Sequence, residues 1–574
     1  MTARALLALA PLALLSLSCA EPATPKPPAV SQPTMLFPRR DDLSRLPSLP
    51  PPRGVFAADA IAAELWTFVA PVALQDDESR YEDGSPWGAM ARDFVAARKT
   101  PLRLSPSLRC AATELARFYV QRGGQPTESL RRFTVARCGG VAPDTAPLIY
   151  SGEAPETMTD QVIFEQAKAA VLAMLEKGVG TGRRAFGLAT ARQGKKIAIV
   201  AVEGSDDVAL EATTRAIDGS RHVQLRGVAR IPSAEISAAI NRGDFGVTVC
   251  DSDKTVAPPH FAFSCRLDDA DKSAWVELRA RRQGRFLEQA VASLLVYEGD
   301  PASIEYRTKP SGPAMPIAAA AAFTPALLSA LNRVRAAGKL AQLALAPKQS
   351  AENARLAGTL LDAVVGERGE EADRITLGLL AGWEVGPLIR SGNIFIGHIA
   401  PSHDVVAWLD FALERPMGRG VLLDPKARLV AIGPAIPDGL QGLAAAVSTY
   451  QTFDGVDHDA DAARILARVN EAREANGRPA LARAPAPELH EQAALVLDGK
   501  REPMLALDTA MHAAAQRAKT SVGGFVVESN DLDHAPLPEN VLRAAGGTLA
   551  VEVTHHRAEG AAWGQYVILY LLVQ

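Results

Sequence analysis

Aromatic residues make up only 5% of this 574-residue chain, and it has just five cysteines. Neither sign of charge dominates, because 61 Lys and Arg stand against 65 Asp and Glu, for a net charge of −4. That balance removes the electrostatic case for nucleic acid or acidic lipid, and no basic stripe with interleaved aromatics appears. Beyond the N-terminus no long uncharged apolar run occurs, so the body is expected to be soluble. P-loop, GxSxG and HExxH signatures are all missing. HEQAA from His490 begins like the last and fails where its second His belongs. GVGTGRR at 178–184 leaves a helical pattern instead of a strand, and reads as a turn, not a phosphate cradle. No cofactor is expected.

What is present is ample apolar content, 48%, in a chain too long for one core. Roughly three to five domains follow. The chain opens MTARALLALAPLALLSLSC, with Arg4 before an apolar stretch that is short for a membrane span and right for a signal peptide. The closing LSLSC resembles a bacterial lipoprotein signal. The resemblance implies that residues 1–19 are a signal peptide, that Cys19 carries lipid and that the membrane is a partner. Ser16 stands where such signals usually have Leu, and the alternative is a plain secretory signal with an incidental cysteine. Ala20 and Glu21 after the cysteine imply an outer-membrane lipoprotein of the bacterial cell envelope. Residues 20–55 are rich in proline and are expected to be an extended tether.

An exported chain meets an oxidising compartment. Setting Cys19 aside leaves two local pairs, Cys110 with Cys138 and Cys250 with Cys265. Both are expected disulfides, each closing a loop worth about 3 kcal/mol of denatured-state entropy. The rival, a four-cysteine metal site, lacks any CxxC spacing.

Residues 56–205 open with a helical pattern, ADAIAAELWTFVAPV, and continue with a stronger one, SPSLRCAATELARFYVQRGG, capped by Ser107. DQVIFEQAKAAVLAMLEKG is a third helix, and RAFGLATARQ with KIAIVAVEG forms a hairpin around Gly194. Residues 206–306 are β-rich and read as a small antiparallel sandwich, interrupted by a helical SAEISAAINRG. Helices return in 318–445 and again in 459–574, the last unit ending in two strands. Each helical unit is expected to run helices first and sheet last.

One phrase is written twice. NRVRAAGKLAQLALAP at 332–347 and NEAREANGRPALARAP at 470–485 share Asn, Arg three places on, Leu at plus eleven and Pro at plus fifteen, 138 residues apart. RKTPLRLSPSLRCAATELA at 98–116 is a clipped copy without the Asn. A helix ending N-x-x-R, a small turn, a Leu, an extended step and an Ala-rich helix is similar to the opening of the CAP superfamily, also called SCP-like or PR-1-like. VVAWLDFALERPMGRGVLLDPKARLVAIG matches a second signature of that family at Trp408, Pro416, Arg419, Leu422, Leu423, Asp424, Pro425, Arg428 and Gly433. The resemblance implies an α+β fold: tandem CAP-like α-β-α sandwich domains at 56–205, 318–445 and 459–574, with the β-sandwich inserted. It also implies a cleft of two His and two acidic residues able to hold a metal. Here the family's His falls on Gly418, its GEN triplet is replaced by GWEVG at 382–386, and SLRRFTVARCGG in the first copy has no His. The cleft chemistry is expected to be lost.

Two features remain. DGVDHDADAAR at 454–464 resembles a calcium loop but has Ala462 and Arg468 where Gly and Glu are needed, so its aspartates read as helix caps. Five of the ten histidines follow residue 489: His490, His512, His534, His555 and His556. On one strand, His555 and His556 would face opposite sides. His534 and His555, with Glu528 or Glu552, are the residues from which a remnant metal site could be built, although no metal is expected. The expected function is non-catalytic binding or scaffolding of an unknown lipid, glycan or protein of the envelope. The alternative is a metal-dependent hydrolase using a cleft in the C-terminal copy, around His534 and His555.

Overall fold

The computed structural model describes residues 37–51, 60–61, 65–72, 76–81, 83–180, 182–211, 217, 219–283, 285, 287–299, 305–366, 368–400, 402–436 and 442–574. All belong to one compact unit, Phe37–Gln574. The expected signal peptide and Cys19 lie outside the described residues.

The tether expected over 20–55 needs correction at its C-terminal half. Residues 37–51 are docked, not free. Helix α1 (Arg40–Ser44) buries Leu43 against Leu356, Leu360, Ile375 and Leu379. Arg355 donates to the carbonyls of Leu43 and Leu46, Thr359 donates to that of Pro47, and Trp383 donates to that of Pro38. Two helical glycines record the crossing. A Cβ on Gly378 would lie 2.2 Å from Leu43 Cδ2, and one on Gly358 would lie 2.1 Å from the Leu49 carbonyl oxygen. Glycine costs a helix about 1 kcal/mol relative to alanine, and here that cost permits the contact.

Among the described residues of 58–72, namely 60–61 and 65–72, the expected helix is not formed. Its described residues give short strands, β1 (Ala60–Ile61) and β2 (Leu65–Trp66). The reason is Glu114, a buried carboxylate that accepts from the Val69 and Ala70 amides at 2.6 and 2.5 Å. Backbone amides committed to a carboxylate of another element cannot enter a helical ladder.

Three four-stranded sheets then follow one plan. The first unit runs α2 (Pro86–Ala97), β3 (Leu102–Leu104), α3 (Pro106–Arg122), β4 (Gln125–Pro126), α4 (Glu128–Arg137), β5 (Thr145–Glu153), α5 (Asp160–Gly178), β6 (Arg184–Gln193) and β7 (Lys196–Ser205). Its sheet order is β3-β6-β7-β5, with β3 parallel to β6 and the other pairs antiparallel. Strand β4 lies outside this sheet and pairs with β1. Ser105, not Ser107, caps α3 by accepting from the Leu108 amide; the Ser107 hydroxyl is taken by Asp76.

The sandwich comprises β8 (Val208–Leu210), β9 (His222–Ala229), β10 (Ser233–Arg242), β11 (Gly246–Val249), β12 (Asp251–Ser252), β13 (His260–Arg266), β14 (Ser273–Arg282) and β15 (Glu288–Tyr297). Sheets β11-β10-β14-β15 and β12-β13-β9-β8 enclose one core that includes Leu225, Phe263, Ile240, Val276 and Leu294. SAEISAAINRG is strand β10, not a helix. Ile236, Ala238 and Ile240 all pack into that core, a period of two that the alanines made look helical. Strand β16 (Tyr306–Arg307) pairs back with β2.

The middle unit runs α6 (Phe323–Ala337), β17 (Ala344–Leu345), α7 (Pro347–Val365), α8 (Gly369–Ala381), β18 (Ile389–Ile399), α9 (Val405–Glu414), α10 (Pro416–Leu422), β19 (Leu429–Ala435) and β20 (Leu443–Thr452). The last runs α11 (His458–Ala475), β21 (Ala482–Arg483), α12 (Pro487–Leu497), α13 (Pro503–Ala518), β22 (Val522–Ser529), α14 (Glu539–Arg543), β23 (Thr548–His556) and β24 (Gln565–Val573). Their sheet orders, β17-β19-β20-β18 and β21-β23-β24-β22, repeat that of the first unit, again with the short first strand parallel to the third. Apolar cores lie on both faces of each sheet, giving three-layer α-β-α units. One strand of each sheet, β5, β18 or β22, precedes the final helices, so the expected order of helices first and sheet last is corrected.

Both cysteine pairs are disulfides. Cys110 on α3 joins Cys138 at the end of α4, and Cys250, where the chain passes from one sandwich sheet to the other, joins Cys265 on β13. No helix among the described residues is long and apolar enough to cross a membrane.

Candidate functional site

The repeated phrase has a structural job. Asn332 donates from Nδ2 to the Leu343 carbonyl at 3.0 Å and accepts the Leu343 amide on Oδ1 at 2.9 Å. Asn470 grips Leu481 in the same way, at 3.1 and 2.9 Å. Each Asn thus closes the turn after its helix and sets the residue that leads into the first strand. Arg335 and Arg473, both fully buried, extend the tie. Arg335 donates to the carbonyls of Ala341, Leu422 and Asp424, and Arg473 to those of Pro479, Val541, Leu542 and Ala544. In the first unit, which lacks the Asn, Arg103 on β3 pairs with Asp76 and Asp206 at 2.7 and 2.8 Å. These groups hold loops. They are not available for chemistry.

Where the family resemblance puts a cleft His, the middle unit is packed solid. A Cβ on Gly418 would lie 2.2 Å from the Ala412 carbonyl oxygen and 3.1 Å from the Phe395 ring. Trp408 is fully buried alongside, its indole donating to the Gly397 carbonyl at 3.0 Å. In the GWEVG stretch, the Glu384 amide donates to Gln349 and its carboxylate pairs with Arg40 of the docked N-terminal segment.

The last unit collects imidazoles at one end of β23. His458 Nε2 and His555 Nδ1 are 2.9 Å apart, and His555 stacks on Phe453 with ring centroids 4.3 Å apart. Burial, reinforced by His458, pushes the His555 imidazole down to about 4. Burial also lowers His458, against the pull of Asp461, Asp457 and Asp459. The His556 side chain points the other way and reaches Glu502 at 3.6 Å. His534 is largely exposed and hydrogen-bonds Asp531 at 2.9 Å, which holds that carboxyl below its ordinary range. His534 and His555 therefore have separate partners. Asp457 caps α11 by accepting from the Ala460 amide, as its sequence pattern indicates.

A different trio is brought together. The donor atoms of Asp459, His490 and Glu552 all lie within 4.8 Å of one another, the one such metal-ligating group among the described residues. His490 Nδ1 is 3.3 Å from Glu552 Oε2. Sequence reasoning had singled out Glu552 and His490 separately and read Asp459 as a cap. The signal it missed is topological: α11, α12 and β23 come from three stretches that only the fold makes neighbours.

No known protein family and no curated protein matches the sequence. Among solved structures, an extracellular protein containing an SCP domain from Bacillus anthracis is similar at 15% identity over 42% of this chain and 88% of its own, with a TM-score of 0.17. A cysteine-rich secretory protein from Staphylococcus aureus is similar at 15% identity over 43% and 86%, with a TM-score of 0.19.

Proposed function

We propose that this chain is an outer-membrane lipoprotein, anchored through Cys19, whose three α-β-α units are degenerate CAP-like modules. They act by binding a lipid, glycan or protein of the envelope, not by catalysis. The bounds 56–205, 318–445 and 459–574 belong to this proposal, as does the insertion of the sandwich at 206–306. The observation that carries the non-catalytic reading is the packing at Gly418 of the middle unit, where the Ala412 carbonyl and Phe395 fill the place an imidazole would need. The two disulfides support an exported location. Of the tether expected over 20–55, residues 20–36 and 52–55 lie outside the described residues, and 37–51 are docked.

Metabolic labelling with an alkyne fatty acid in a bacterial host tests the anchor. The wild-type chain takes label and fractionates with membranes, and Cys19→Ala does neither. An unlabelled wild type, or a labelled variant, overturns the anchor. Turnover of carboxyl or phosphate ester substrates by the purified full chain with added Zn²⁺ would overturn the binding reading and favour the hydrolase.

A further inference from the structure

We propose that Asp459, His490 and Glu552 form a binding site for one borderline divalent cation of the Zn²⁺ class, at the free edge of the last sheet. This goes beyond the binding role above, and does not depend on it. Strand β21 pairs with β23 only at Thr548 and Leu549, so from Ala550 onward β23 is an edge among the described residues. At that edge the three layers of the unit meet. Asp459 comes from the first turn of α11 on one face, His490 from the first turn of α12 on the other, and Glu552 from the strand between.

One imidazole with two carboxylates is a donor set that borderline cations accept, at metal–ligand distances near 2.0–2.2 Å. Tetrahedral donors at that distance stand about 3.4 Å apart. The His490–Glu552 pair already does, at 3.3 Å. Only Asp459 must swing inward, and it is exposed and free to do so.

The fold does not require these donors. By the offset of 138 that relates the two phrases, the middle unit has Ala321 for Asp459; counted from the first helical proline, Pro347 in α7 and Pro487 in α12, it has Ser350 for His490. Aligning Leu345–Val430 with Arg483–Leu549 puts Gly433 at the place of Glu552. There a Cβ would lie 2.3 Å from the Asn353 carbonyl carbon, so α7 rests on its strand too closely for any side chain. By the same counts the first unit, whose α3 opens at Pro106, has Arg109 and Ala189 at the places of His490 and Glu552. A strand carboxylate and an imidazole to meet it occur in the last copy alone of the three.

The test is calorimetric titration of the chelator-stripped full chain with ZnCl₂ at pH 7. One equivalent is expected to bind with a Kd under about 10 μM. His490→Ala and Glu552→Gln should each weaken it at least about tenfold, while His534→Ala should leave it unchanged. Asp459→Asn serves as a third variant, and unchanged melting temperatures without metal show that the variants fold. No bound zinc by elemental analysis after dialysis against about 100 μM ZnCl₂ overturns the proposal. So does binding that survives both His490→Ala and Glu552→Gln, since it then belongs to other histidines.

Discussion

Asn470 spends both ends of its amide on one residue, Leu481, eleven positions downstream. Removing that amide leaves a buried N–H and C=O without partners, at about 1–3 kcal/mol for the pair after relaxation. Asn470→Ala should therefore strip hydrogen-exchange protection from the Leu481 amide and destabilise the last unit by about 2 kcal/mol, with Asn470→Asp milder because it keeps the acceptor. Unchanged exchange at Leu481 in Asn470→Ala would show the clamp to be incidental. His555 offers a second residue-level test. Its folded pKa, about 4, lies below the ordinary imidazole value, so between those values the unfolded chain binds a proton that the folded chain does not. Stability from the neutral, stacked ring is fully present above about pH 6.5 and drains away as the pH falls toward 4. The groups facing it are His458 and Phe453, with Asp461, Asp457 and Asp459 acting through His458. His555→Phe should flatten the fall in melting temperature between pH 7 and pH 5; an equal fall in wild type and variant would assign it elsewhere.

At the scale of elements, helices were largely legible and strands only where apolar residues alternate with turn signals. The runs over 160–178, 323–337, 347–365 and 458–475 carry a full apolar face and are helices. Strand β10 was hidden because alanine fills both sides of its pleat and is a good helix former, so its period of two had only Ile236 and Ile240 to show it. Strand β18, IRSGNIFIGHI, was missed because Gly392 and Gly397 break the apolar run, and both glycines face aromatic rings. The Asn and Arg spacing was the most readable feature of all, since a clamp between fixed positions leaves little freedom in sequence. The histidine–carboxylate trio was not readable. Its members lie 31 and 62 residues apart, and no local period links α11, α12 and β23.

For the whole molecule, the docked segment 37–51 matters most, because it makes the middle unit depend on residues more than 300 positions away. Gly378→Ala tests this without a disruptive side chain. On propensity alone the substitution favours α8 by about 1 kcal/mol. If Leu43 must rest against Gly378, the same change should instead lift α1, and trypsin should cut the chain faster at Arg39, Arg40 and Arg45. Cleavage no faster than in wild type would mean that the contact gives way at no cost.

The same segment decides where a mechanical load would travel. Among the described residues, a pull arriving through the N-terminus meets Phe37 to Pro51 before any other, and these residues grip α7 and α8 through Arg355, Thr359 and Trp383. Through those contacts tension can pass into the middle unit directly, without first running along the chain of the first unit and the sandwich. The first unit and the sandwich are the parts stitched by disulfides.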